Sequence, residues 1–106
     1  MARYLVQGTY TAEGTKGLLA KGGTARRTAV EEMVKGLGGS LEAYYWAFGD
    51  TDFYAIAELP DAASAAAIGL TVSASGAVRV QTTVLLTAED IDEAATKRVG
   101  YRPPGS

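Results

Sequence analysis

The 106-residue sequence predicts a single α+β domain with the element order strand, helix, strand, strand, helix, strand and a further helix at the C-terminal end. Three observations carry this reading. Apolar and other side chains alternate along four short runs, the period of strands whose two faces differ. Two stretches, Ala25 to Leu37 and Ala62 to about Ala74, repeat apolar residues every three or four positions, as a helix buried along one side does. The two middle strands are joined by Gly49-Asp50-Thr51-Asp52, a tight acidic turn in which glycine supplies positive φ and aspartate caps backbone amides.

Arg3 to Tyr10 (RYLVQGTY) reads as the first strand, with Tyr4, Val6, Gly8 and Tyr10 on one face and Leu5, Gln7 and Thr9 on the other. Thr11 to Thr24 carries Gly14, Gly17, Gly22 and Gly23 around Leu18-Leu19 and reads as a long loop, a lid or packing flap. Gly22-Gly23-Thr24 ahead of a helix is a conceivable anion cradle, but its spacing fits neither the dinucleotide nor the Walker pattern, and a plain loop accounts for it better. In the first helix Ala25, Ala29, Val30, Met33, Val34 and Leu37 form the stripe expected to be buried, and Gly38 is placed to act as the left-handed cap. Arg26-Arg27 and Glu31-Glu32 fall on the other face, where pairing within a solvated helix surface explains them.

The centre of the chain is Leu41 to Asp61, LEAYYWAFGDTDFYAIAELPD, which holds the only tryptophan. Strict alternation puts Leu41, Ala43, Tyr45 and Ala47 on one face of its first strand and Glu42, Tyr44, Trp46 and Phe48 on the other. In its second strand Phe53, Ala55, Ala57 and Leu59 oppose Tyr54, Ile56 and Glu58. The alanine-bearing faces suit close packing against helices. Pro60 stops the strand and Asp61 caps the alanine-rich helix, whose expected stripe is Ala63, Ala66, Ala67, Leu70 and Ala74. After Gly76, Ala77 to Thr87 is the last strand, with Val78, Val80, Thr82, Val84 and Leu86 opposite Arg79, Gln81, Thr83 and Leu85. Thr87 and Asp90 then form a capping-box pair that opens a helix running to about Val99. One domain over residues 1–100 and a loose tail over 101–106 follow.

This element order is that of a ferredoxin-like fold, a four-stranded antiparallel sheet with both main helices on one face. The other face is left open. On the alternation above it gathers Gln7, Thr9, Glu42, Tyr44, Trp46, Tyr54, Glu58, Arg79, Gln81 and Thr83. That mixture is too aromatic for full exposure and too polar for a dry core, so a second subunit or a ligand is expected to cover it.

Composition excludes several kinds of chemistry. A formal net charge of −2 lacks the basic excess of a nucleic-acid footprint. Without cysteine there are no disulfides, thiolate nucleophiles or cysteine-type zinc sites, and without histidine there is no Ser-His-Asp triad or histidine-held haem. No apolar run is long enough to cross a membrane and the N-terminus lacks a signal peptide's plan, so the expected location is cytoplasmic. No metal, cofactor, nucleic acid or membrane partner is expected. Asp50 and Asp52 with Glu58 or Asp61 provide too few oxygens at the wrong spacings for a calcium loop, and turn and cap duties account for both aspartates.

Several stretches resemble the GYD-domain family: YTAEG from Tyr10, LGGSLEAYYWAFG, the GDTD turn, ELPD from Glu58 to Asp61, SGAVR and the closing LLTAEDIDEA. The resemblance spans nearly the whole chain. It implies a small bacterial protein of ferredoxin-like fold with the dimeric α/β-barrel type of assembly, and it implies no particular reaction. The family's Gly-Tyr-Asp signature departs here, because Thr51 stands where the tyrosine is usual, while Gly49, Asp50 and Asp52 keep the turn.

Gln7, Tyr44, Trp46, Tyr54, Glu58, Arg79 and Gln81 are therefore the candidate ligand-binding or interface residues. Trp46 with Tyr44, Tyr54 and Arg79 is an aromatic box for a planar organic acid or, the favoured reading, packing at a subunit seam. The expected function is a homo-oligomeric module, at least a dimer, whose open sheet face forms the interface and a small-ligand pocket. A cofactor-independent dimeric-barrel enzyme of monooxygenase or isomerase type, using Tyr44, Trp46 and Glu58, is one alternative, and a structural subunit of a larger complex is another.

Overall fold

In the computed structural model, which describes residues 1–106, β1 (Ala2–Tyr10) lies inside a four-stranded sheet of order β2-β3-β1-β4. The hairpin β2 (Ser40–Trp46) and β3 (Phe53–Leu59) pairs with β1 on one side, and β4 (Val78–Leu85) pairs with it on the other, all antiparallel. Helices α2 (Gly23–Gly36) and α3 (Ala62–Ala74) cover one face. This is the ferredoxin-like arrangement. No helix is long and apolar enough to cross a membrane.

The core lies between that face and the helices. Alternate residues of the strands supply Tyr4, Phe53, Ala55, Ala57, Leu59 and Val78, and the helices answer with Val30, Val34 and Ala65. Alanines on β3 let the helices approach, Leu59 is the most deeply buried side chain, and the Phe53, Tyr4 and Tyr44 rings are buried with it. Phe53 reaches across to β1, where its ring occupies the place a side chain on Gly8 would take, 2.1 Å from the ideal Cβ position.

Four expectations change. Thr11 to Thr24 is not a loop, since it contains the helix α1 (Ala12–Lys21). Thr11 caps it by accepting from the Gly14 amide at 3.3 Å, and its own hydroxyl donates to the Gly76 carbonyl at 2.9 Å. A Cβ on Gly14 would lie 2.1 Å from the Ala77 carbonyl oxygen, so this glycine permits close approach to the chain entering β4 and does not signal a loop. In α3 the inward stripe is Ala65, Ile68 and Val72, and Leu70 is 74% exposed. A helix apolar on nearly every side has no marked phase for periodicity to find.

The third change governs the site. β2 carries a bulge between Leu41 and Ala43: Leu41 pairs with Ala57, but Ala43 pairs with Ile56. The extra residue, Glu42, reverses the alternation after it. Leu41, Tyr44 and Trp46 therefore face the helices, opposite Ala57, Ala55 and Phe53, whereas Ala43 and Tyr45 face the open side, opposite Ile56 and Tyr54. Strict alternation had placed Tyr44 and Trp46 on the open face and Tyr45 with the core.

The last change concerns the C-terminal helix α4 (Ala88–Thr96), which ends before Val99. Its capping box forms as expected, Thr87 Oγ1 accepting from the Asp90 amide at 3.1 Å and Asp90 Oδ2 from the Thr87 amide at 2.9 Å. Every residue from Ala88 to Ser106 is exposed, and the chain extends 56 Å along its longest axis. The radius of gyration, 16.9 Å, exceeds the roughly 13 Å of a compact chain of this length, so α4 and the tail form an arm.

Gly8→Ala is expected to lower stability by about 1–3 kcal/mol in urea unfolding, because the new methyl must displace a core ring. Gly17→Ala in α1 meets nothing within 4 Å and should gain up to about 1 kcal/mol from helix propensity. Equal midpoints for the two variants would show that Phe53 does not lie over β1 as described.

Candidate functional site

Two surfaces hold the residues singled out from the sequence. On the open face, side chains stand in rows across the strands. One row runs Tyr45, Tyr54, Gln7, Gln81, and the next runs Ala43, Ile56, Leu5, Thr83. At one end, Arg3 pairs across from Glu58 and Leu85, and at the other Thr9 faces Arg79. Arg3 donates to Glu42 Oε1 from Nε at 3.0 Å and from an η nitrogen at 2.8 Å, and to Glu58 Oε1 at 2.9 Å. One cation thus holds two carboxylates and leaves that end net negative. Arg79 has no ion-pair partner. Beside it, Gln7, Thr9, Thr51 and Gln81 bound a shallow polar depression of about 220 Å³.

Of the predicted residues, Gln7, Tyr54, Glu58, Arg79 and Gln81 stand together on this face. Tyr44 and Trp46 do not, for the reason of the bulge. An enzyme that combines Tyr44 and Trp46 with Glu58 is therefore not assembled within the subunit, since the sheet separates the aromatic pair from the carboxylate.

On the helix side Tyr44 and Trp46 join a cluster that alternation alone could not reveal. Tyr44 stacks on Phe53 with ring centroids 5.2 Å apart and planes 10° from parallel, and Trp46 tilts against Tyr44 at 4.7 Å. Tyr10 closes the group, 5.5 Å from Phe53. The Trp46 indole donates to the Tyr10 hydroxyl at 3.1 Å, and the Tyr10 and Tyr44 hydroxyls lie 3.4 Å apart. Burial, followed by the Tyr10 contact, raises the Tyr44 pKa above its ordinary value of 10.0, and Arg26 acts more weakly in the opposite direction.

Next to this cluster an open cleft of about 660 Å³ lies between α1, α2, the end of α3 and the start of β4. Tyr10 and Arg26 line it, with Glu13 and Lys21 contributed by α1. The sequence suggested that Arg26 pairs on a solvated helix face. Arg27 does so, 3.5 Å from Glu31, but Arg26 is half-buried and its Nε has no hydrogen-bond partner. The available signal was that Arg26 precedes Val30 by one helical turn, on the side that packs.

The chain matches the GYD domain family over residues 4–95, from β1 to the end of α4. It belongs to that family. No similar curated protein and no similar solved structure is found. In this GYD domain the signature turn is docked on β1. The Asp52 amide donates to the Gly8 carbonyl at 2.8 Å, Asp52 Oδ2 accepts from the Tyr10 amide at 2.8 Å, and the Thr9 hydroxyl donates to the Asp50 carbonyl at 2.8 Å. Gly49 takes φ +99°, which a side chain would resist. Thr51, in the place of the family tyrosine, borders the polar depression near Arg79.

The pH dependence of stability offers a check on the cluster. Because folding favours the neutral Tyr44 phenol, its contribution is complete below about pH 10 and is lost as pH rises from there toward the raised folded value. The stability difference between wild type and Tyr44→Phe should be flat from about pH 7 to 9 and then decline by at most about 1.4 kcal/mol per pH unit. A difference that stays constant to about pH 11.5 in urea titrations would show that the phenol is solvated.

Proposed function

We propose that this GYD domain is a self-assembling module, at least a homodimer, whose open sheet face is the subunit interface. The observation that carries the proposal is the order of side chains along that face: an apolar and aromatic middle, Leu5, Ile56, Tyr45 and Tyr54, between unpaired Arg79 at one end and the net-negative Arg3–Glu42–Glu58 group at the other. A two-fold axis across the strands between Leu5 and Gln7 would stack each end on its opposite, so that the end carrying Arg79 in each copy lies over the end carrying the Arg3–Glu42–Glu58 group of the other, with Arg79 itself over Leu85 on β4. The same operation lays Ile56 against Tyr54. Self-complementarity of this kind is what an isologous interface requires.

The arm supports the reading. Ile91, Val99 and Tyr101 are exposed on a segment without buried residues of its own, which is apolar surface that a second copy can cover. Pairing would also bring the Arg79 end under the field of the acidic end, whereas the Arg3 ion pairs alone, being solvated, contribute little to the stability of one subunit. Nothing in this interface calls for catalysis, and the module's role is assembly, with the helix side left accessible.

Light scattering across a concentration series tests the assignment. The expected mass is at least twice the 11.0 kDa of one chain. Tyr45→Ala should weaken association by about 2 kcal/mol, about thirtyfold in the dissociation constant, with the fold intact. Trp46→Ala should instead destabilise the fold itself, because the ring, though partly exposed, packs on Tyr44 and against the start of α2 at Gly23. An 11.0 kDa species at all concentrations, or Tyr45→Ala assembling as well as wild type, would overturn the proposal.

A further inference from the structure

We infer that the cleft between α1, α2 and α3 is a binding site for a small organic acid, with an apolar body held against the helices and its carboxylate received by Arg26. The cleft is separate from the open sheet face, and its occupation does not depend on self-association.

The shape suits such a ligand. At about 660 Å³ the cleft falls within the roughly 300–1,000 Å³ of small-molecule pockets. Its walls are mostly apolar, with Leu18, Ala25, Ala29, Met33 and Val72 among the lining side chains. Gly17 keeps the α1 wall low, since a Cβ there would have no neighbour within 4 Å. Apolar walls of this kind leave orientation to a few polar groups.

Those groups converge on an anion. Arg26 Nε is buried without a partner, and an unsatisfied buried donor on a cation is costly. A carboxylate placed against the guanidinium would give this cation, which has no ion-pair partner, a charge-assisted pair. Lys21 adds a second cation at the cleft, against the single carboxylate of Glu13. Tyr10 supplies a neutral donor. Its oxygen accepts from Trp46, and with Tyr44 donating across the 3.4 Å contact, the Tyr10 proton is free to turn toward the cleft. Trp46, the only tryptophan, thus reports on the site through Tyr10.

The test uses 4-phenylbutyrate and its uncharged analogue 4-phenylbutanol, titrated into the full chain with calorimetry and Trp46 fluorescence as readouts. The acid should bind saturably, one per chain, at least about tenfold tighter than the alcohol. Arg26→Met should bring the two within about threefold of each other while keeping the apolar contacts. Gly17→Leu, which fills the cleft from a helix position with free space, should abolish binding of both with the circular dichroism spectrum unchanged. The inference is overturned if neither probe binds at millimolar concentration, if acid and alcohol bind wild type equally, or if Gly17→Leu binds as wild type does.

Discussion

One extra residue in β2 decides which side of the sheet receives each aromatic ring. With the bulge at Glu42, Tyr44 and Trp46 turn toward the helices, Tyr44 meets Phe53 face to face, and Trp46 can donate to Tyr10. The displaced Glu42 reaches Arg3 instead. A regular strand would bury Tyr45 and expose Tyr44, and the aromatic cluster would not form. Bulges commonly redirect a side chain in this way, and here a single one serves both faces.

The two faces then have different chemistry for a physical reason. The helix side is dominated by rings and small aliphatic groups, so its few polar atoms are costly unless paired, and the tyrosine hydroxyls and the indole pair among themselves. Arg26 Nε is the exception, beside an opening. The open side keeps its charges solvated, where they cost little and can select a partner by sign. A surface that is aromatic in the middle and oppositely charged at its ends suits association with a copy of itself.

Glycine has two roles that the sequence does not distinguish. Gly49 and Gly38 take positive φ at turns, which composition and position anticipate. Gly8, Gly14 and Gly39 instead lie where another part of the chain comes within 2.1 Å of the missing Cβ. Gly14 is the instructive case, because a helix-weakening residue sits inside α1 for the sake of a contact with Ala77 more than sixty positions away. Local propensity argued for a loop, and packing overrode it.

Hydrophobic period, turn chemistry and caps are local properties, and so the sequence by itself determined the succession of the four strands and two main helices along the chain, the helix over Ala62 to Ala74, the turn at Gly49 to Asp52 and the Thr87–Asp90 capping box. It also determined that β4 sends Arg79 and Gln81 to the open side, since that strand runs without a bulge. Only the tertiary structure decided where Tyr44, Trp46 and Tyr45 point, that Arg26 turns under its helix, and that α1 exists. Each depends on a partner distant in the chain: Ile56 sets the register after the bulge, Phe53 and Tyr10 receive the rings, and Ala77 draws in Gly14. A one-residue change of phase leaves almost no local trace, yet it moves every later side chain of the strand to the other face.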